Sequence, residues 1–199
     1  PLFIHPALSS NTNLPAGIQD NTDNLDTFLV GVLLSPGGTQ GTAPGRSVDF
    51  PHLVTNDGTG ADIIDVFFRT RLGFALEVWS DPNGDGDRSD GALLGRDANG
   101  DGDMTDSGDT PPSPVVDANR NGFVDGGSLA AGASRSYVLR VGVPPRQALG
   151  TEEVVTVFAA SGYKPSVRVQ TEDHVRVGLI TLAPPLNLSG SRGVSLDLA

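Results

Sequence analysis

Residues 134–143 read Ser134-Arg-Ser136-Tyr137-Val-Leu139-Arg140-Val141-Gly142-Val143, and this stretch decides the fold class. Tyr137, Leu139, Val141 and Val143 fall on one face and Ser136, Arg140 and Gly142 on the other, the period of two that marks a half-buried strand. Outward from it the same alternation returns at Val48, Phe50, His52 and Val54, at Ile64, Val66 and Phe68, and at Phe74, Leu76 and Val78. It recurs at Val155, Val157 and Ala159, and at Val175, Val177 and Leu179. Pro36-Gly-Gly38, Pro44-Gly45, Asn56-Asp-Gly58, Gly132 and Pro144-Pro145 punctuate these stretches as turns. Helical periodicity is almost absent, so the sequence predicts an all-β chain folded as a β-sandwich.

Composition agrees and narrows the function. The 199 residues include 26 Gly, 15 Pro and 20 Asp against four Glu, one Lys and no Cys. Leu, Val, Ile and Phe are frequent enough for an ordinary core, so the chain folds without disulfide staples. No run approaches the ~20 apolar residues of a membrane span, and Pro1 opens the chain as in a mature protein or an excised domain. A net charge of -11 argues against nucleic acid or an anionic membrane as partner and points to a cation.

That charge is concentrated. Residues 81–125 carry eleven Asp against Arg88, Arg96 and Arg120, a local net charge of -8. As a bare loop such a segment repels itself within the ~8 Å Debye length of physiological salt. Its order is more informative than its charge, because one pattern runs through it three times. The copies are Asp81-Pro-Asn83-Gly-Asp85-Gly86-Asp87-Arg-Ser-Asp90, Asp97-Ala-Asn99-Gly-Asp101-Gly102-Asp103-Met-Thr-Asp106 and Asp117-Ala-Asn119-Arg-Asn121-Gly122-Phe123-Val-Asp125. Oxygen-bearing side chains at positions 1, 3 and 5, Gly at 6 and a backbone carbonyl at 7 match the first half of an EF-hand loop. Calcium takes six to eight hard oxygens, and short Asp and Asn side chains at alternate positions can turn inward around it. Position 12, where an EF-hand has Glu, is Ala92, Gly108 or Ser128. The closing carboxylate is expected instead from Asp90, Asp106 and Asp125, with Asp109 in reserve. The loops are similar to those of thrombospondin type-3 repeats, and two to three Ca²⁺ ions are expected; the alternatives are a disordered acidic loop or a catalytic metal. No His lies in the segment, which disfavours Zn²⁺ and Fe²⁺.

A resemblance covers residues 36–161. Pro44-Gly45, Phe50-Pro-His-Leu-Val-Thr-Asn56-Asp-Gly58, Val78-Trp-Ser-Asp81, Asn99-Gly-Asp-Gly102, Leu129-Ala-Ala-Gly132, Val141-Gly-Val-Pro144 and Val155-Thr-Val-Phe-Ala-Ala-Ser161 occur in this order. As an ordered set they resemble the immunoglobulin-like conserved repeat domain of bacterial and archaeal cell-surface proteins. The resemblance implies an extracellular, non-catalytic immunoglobulin-like β-sandwich that serves as a building block of surface layers, stalks or matrix, and it carries no catalytic residues. Three aspartate loops in one insertion exceed what the family leads one to expect.

The domain reading is an N-terminal strand region at 1–35, the sandwich at 36–161 with calcium loops inserted at 81–127, and C-terminal strands at 162–199. Pro1-Leu-Phe-Ile-His5, Thr27 to Leu34 and Val194-Ser-Leu-Asp-Leu198 read as strands. The terminal ones pair either with their own sandwich or with a neighbouring subunit, which would give a homo-polymer or contacts with other surface proteins. Leu93-Leu94, Val115-Val116 and Phe123-Val124 are the expected anchors between ions.

Catalytic motifs are missing. There is no Gly-x-Ser-x-Gly, no phosphate-binding glycine loop and no His-Glu-x-x-His, and Glu77, Glu152, Glu153 and Glu172 form no recognisable pair. His5, His52 and His174 read as structural or surface histidines. The expected function is therefore that of a non-enzymatic, extracellular, calcium-stabilised subunit of a surface layer, filament or matrix. The alternative is a calcium-dependent adhesin or carbohydrate-binding module using a patch near Trp79.

Overall fold

In the computed structural model, which describes residues 28–178, every alternating stretch lies in or directly against a strand. The strands are β1 (Val32–Ser35), β2 (Gly38–Thr42), β3 (Ser47–Asn56), β4 (Asp62–Thr70), β5 (Ala75–Ser80), β6 (Leu93–Asp97), β7 (Ser128–Leu129), β8 (Ser134–Gly142), β9 (Glu152–Ser161) and β10 (Arg168–Val177). One sheet has the order β1-β3-β8-β5-β6 and the other β2-β10-β9-β4-β7. All pairs are antiparallel except β2 with β10. The chain crosses from the first sheet to the second at the Ser35–Pro36 cis peptide, so β1 and β2 edge different sheets. This is an immunoglobulin-like β-sandwich.

Inward positions are those the alternation assigns. Phe50 and Val54 of β3, Leu76 and Val78 of β5 and Leu139 and Val141 of β8 face Ile64, Val66 and Phe68 of β4 and Val155, Val157 and Val175 of the second sheet in one core. Val138 departs from the pattern, for it lies on the outer face of β8 yet is wholly buried. Its cross-strand neighbours are Pro51 and Trp79, and the loop after β5 lies against Pro51, so a second layer covers this part of the sheet.

The long connection between β5 and β8 is structured. β6 pairs with β5, Arg96 bridges to Thr110, and Val124 bridges to Val66 on the opposite sheet. The expected anchors hold in part: Val124 is buried and Leu94 packs against the core, whereas Leu93 and Val115 are exposed. Met104 supplies the anchor the sequence reading missed, because it joins the core cluster at a place where Gly95 of β6 leaves no side chain in its way. At the amino end the strand is shorter than expected. Residues 28–31 are irregular, since Leu29 and Gly31 give their carbonyls to Thr59 and Asp57 at the tip beyond β3. Pro1–His5, Val194–Leu198 and Leu179 lie outside the described residues.

Three of the acidic side chains buried on the strands, Glu153, Asp62 and Asp173, have hydrogen-bond donors from the sandwich itself around them. Glu153 accepts from the N–H groups of Arg71, Leu72 and Val154 and closes the turn after β4. Asp62 accepts from Ile63 and Tyr163 N–H and from the Ser161 hydroxyl. Asp173 accepts from Gly38 N–H at 3.0 Å and meets His52 Nε2 at 2.8 Å. His174 instead sits near the surface between Glu152 and Glu172, 3.4 and 3.7 Å away. Among the described residues no helix is long and apolar enough to cross a membrane.

Candidate metal centre

The three aspartate repeats fold the same way, and the hydrogen bonds show it position by position. The first Asp of each copy is buried and holds the loop's backbone: Asp81 accepts from Gly84 and Gly86, Asp97 from Gly100 and Gly102, Asp117 from Asn121 and Gly122, at 2.6–3.0 Å. The Asn at position 3 accepts from the N–H at position 5 in every copy, at 2.9–3.2 Å for Asn83, Asn99 and Asn119. Position 5 accepts from position 7 through Asp85, Asp101 and Asn121, at 2.8–3.1 Å. Short side chains at alternate positions thus turn toward the inside of the loop, because the chain keeps folding back over them.

That path needs a left-handed backbone at position 4 as well as at position 6. Gly84, Gly100 and Arg120 have φ of 74°, 71° and 60°, so the third copy holds a non-glycine residue in a conformation that Gly adopts freely. Gly100 also lies where a Cβ would come within 2.5 Å of the Phe74 carbonyl oxygen. Gly100→Ala is expected to destabilise the fold by about 2 kcal/mol, from strain and this clash together; urea denaturation would measure it.

The carboxylates then divide into two kinds. Asp81, Asp85 and Asp90 each offer an oxygen within 4.8 Å of the others, and so do Asp101, Asp103 and Asp106. Asn99 donates to both Asp101 and Asp106 across the second cluster. Other acids brace the chain: Asp109 takes the N–H groups of Ala98 and Asp106, Asp125 takes those of Ala118 and Gly127, and Asp87 caps the 3₁₀ turn Arg88–Asp90. Phe123, at position 7 of the third copy, packs against Phe67 with the ring planes tilted by 33°.

The third loop recruits an acid that the sequence reading missed. Asp65 of β4 is buried and accepts from the side-chain amides of Asn119 at 2.8 Å and Asn121 at 2.7 Å. Burial pushes its carboxyl up despite those two bonds, and the charges of Asp125 and Asp117 add to the rise. The signal was present in Ile63-Ile-Asp65-Val-Phe-Phe68, a lone carboxylate inside an apolar run. Burial likewise raises Asp97, against the pull of the Gly102 and Gly100 N–H groups, whereas the N–H of Asp103 lowers the exposed Asp101.

The first loop is fastened to the outer face of the first sheet by charge as well as by shape. Arg88 lies 5.1 Å over the Trp79 ring and 3.3 Å from Asp49, while Trp79 donates to Glu77 at 3.1 Å. One face of Trp79 is therefore covered by the loop it adjoins.

No family model matches this sequence, and neither does any curated protein. Among solved structures the chain is similar to AvmM, which catalyses macrocyclization in alchivemycin A biosynthesis, at 13% identity over 75% of this chain and 88% of that one, with a TM-score of 0.40. It is also similar to a PapD-like domain of human CEP192, at 13% identity over 75% and 86% with a TM-score of 0.35. A third match is a chaperone–tip adhesin complex of CFA/I fimbriae biogenesis, at 15% identity over 75% and 59% with a TM-score of 0.36. The likeness to each is one of strand arrangement.

Proposed function

We propose that this chain is an extracellular, non-enzymatic structural subunit whose aspartate loops are ordered by two to three calcium ions. The observation that carries the reading is the threefold repetition of one loop conformation with a buried first Asp and inward-turned oxygens, in a segment with a net charge of -8. Hard oxygen donors without His or Cys suit Ca²⁺. The first ion would be held by Asp81, Asn83, Asp85 and Asp90, and the second by Asp97, Asn99, Asp101, Asp103 and Asp106. The third would be held by Asp117, Asn119, Asn121 and the Phe123 carbonyl, with Asp65 as an added carboxylate. Asp87, Asp109 and Asp125 would orient the loops around them. Calcium supplies the charge that lets these carboxylates stay close, and the loops then become rigid surface on both faces of the sandwich.

In this reading the chain is a member of the immunoglobulin-like conserved repeat domains of cell-surface proteins and polymerises through strand contacts. Both sheets are open, with β1 and β6 edging one and β2 and β7 the other. Edge strands present unpaired backbone groups to which a strand of a neighbouring copy can add. Electron microscopy of the purified chain in millimolar calcium is expected to show filaments or sheets that disappear in chelator and on deletion of residues 1–8. Monomers under all conditions, with calcium counted as bound by native mass spectrometry, would overturn the structural role and leave the binding-module reading.

Acidity gives a further check. Carboxylates bind calcium only when deprotonated, and burial has raised Asp97 and Asp65, so protons compete there at a higher pH than at ordinary carboxylates. Calcium affinity is expected to fall as pH is lowered, beginning above the usual carboxylate range of about pH 4. Titrations at pH values between there and neutrality that gave one constant affinity would contradict it.

A further inference from the structure

The outer face of the second sheet carries a cleft of about 430 Å³ that the loops leave open. Its floor is aromatic. Phe67 and Phe158 are direct cross-strand partners on β4 and β9, with centroids 5.0 Å apart and planes within 10° of parallel. Phe123 of the third aspartate loop adds a third ring 4.8 Å from Phe67. The 5.0 Å separation matches the spacing of neighbouring strands, so the two rings stand side by side on the sheet and turn their edges outward. A benzene ring is electropositive at its edge. Phe123 on Phe67 accounts for how the third loop is clamped down, and Gln170 of β10 is the cross-strand neighbour of Phe158 on its other side.

Two cations flank this floor. Arg69 and Arg168 line the cleft, are exposed, and make no ion pair or hydrogen bond to another described residue. Arg168 lies in the row of Ala160 and Asp65, and Arg69 in the row of Thr156 and Glu172, two strands over and four residues along. Strand spacing and rise place their backbones roughly 16 Å apart at opposite corners of the Phe pair. The acidic groups on this face are accounted for: Asp65 is covered by Asn119 and Asn121, Glu152 pairs with Arg176 and His174, Glu172 lies near His174, and Asp101 sits at the rim in the second aspartate cluster.

We infer that this cleft binds an acidic polysaccharide, with uronate carboxylates on Arg69 and Arg168 and sugar oxygens along the electropositive edges of Phe67 and Phe158. Charge complementarity identifies the occupant as an anion with separated charges. A nucleic acid, with one charge per ~1.7 Å of duplex, would meet the aspartate loops at the same time and be repelled. An extended acidic peptide binds sheets by adding to an edge, whereas β9, the central strand of the cleft floor, is paired on both sides along it and offers only side chains there. Gln170 and the polar rim suit hydroxyl groups. The inference rests on the calcium reading at one point, Asp101, whose charge a bound cation would neutralise.

The test is calorimetric titration of the full chain with short oligogalacturonates in millimolar calcium and in chelator, with bound ions counted by native mass spectrometry on the same samples. Oligogalacturonate should bind in calcium, and Arg69→Gln with Arg168→Gln should weaken it roughly tenfold or more. Both side chains are exposed, so an unchanged thermal midpoint will show that the variant is folded. The fully methyl-esterified oligomer should bind less well than the free acid. Absence of binding in both buffers, or equal binding by the double variant, overturns the cleft. Polyglutamate binding as tightly, with the same Arg dependence, replaces the glycan with an acidic peptide. The ion count judges the calcium reading separately, since binding without any bound ion would refute that reading and leave the cleft standing.

Discussion

Chelation of calcium is expected to lower the thermal midpoint of this protein by about 3–15 °C, and the triple variant Asp85→Ala, Asp101→Ala, Asn121→Ala is expected to abolish that difference. Extracellular calcium modules bind with dissociation constants of ~10⁻⁴–10⁻³ M, so millimolar calcium stabilises each site by roughly 0.4–1.4 kcal/mol through mass action. Three sites give about 1–4 kcal/mol, and a chain of this size shifts by ~2–4 °C per kcal/mol. The substituted residues all occupy position 5, where each accepts the position 7 N–H and turns its oxygens into the loop. Removing them takes one donor from every site while leaving the buried Asp81, Asp97 and Asp117 to hold the backbone. Calorimetry of both proteins in calcium and in chelator decides the matter. Equal midpoints for the unsubstituted protein in the two buffers would mean that the loops are held by their own hydrogen bonds.

Those hydrogen bonds also explain why the loops were readable in the sequence while their surroundings were not. A local pattern of short oxygen side chains and glycines determines a local path, and each of the three copies contains everything that path requires. The alternation that placed Phe50, Leu76, Leu139 and Val157 inside is equally local. What sequence spacing does not carry is pairing between distant stretches. β6 is short, lacks alternation and contains Gly95, whose missing side chain makes sense only once Met104 is packed beside it. Asp65 looks anomalous on a strand until Asn119 and Asn121, 54 and 56 residues later, reach back to it. The Phe67–Phe158 pair joins strands 91 positions apart through the register of β4 on β9.

Asp173→Ala is expected to cost about 3–5 kcal/mol, for the same kind of long-range reason. His52 follows Phe50 on β3 in the alternation, and Asp173 precedes Val175 on β10, so both point into the sandwich from opposite sheets. They meet there at 2.8 Å, with His52 4% exposed and Asp173 fully buried. The other oxygen of Asp173 holds the N–H of Gly38 at the start of β2, so one carboxylate ties both sheets and an edge strand together. Alanine would strand the imidazole, whose Nδ1 has no partner among the described residues, and leave the Gly38 N–H without this bond as well. The thermal midpoint should fall by roughly 6–20 °C. Replacing both members with apolar residues, as in His52→Leu with Asp173→Val, removes the stranded groups and should recover most of the loss. A double-mutant cycle by urea denaturation separates the alternatives. A cost for Asp173→Ala below about 1 kcal/mol, the value of an exposed pair, would mean that water reaches these groups and that the sheets are held by apolar packing alone.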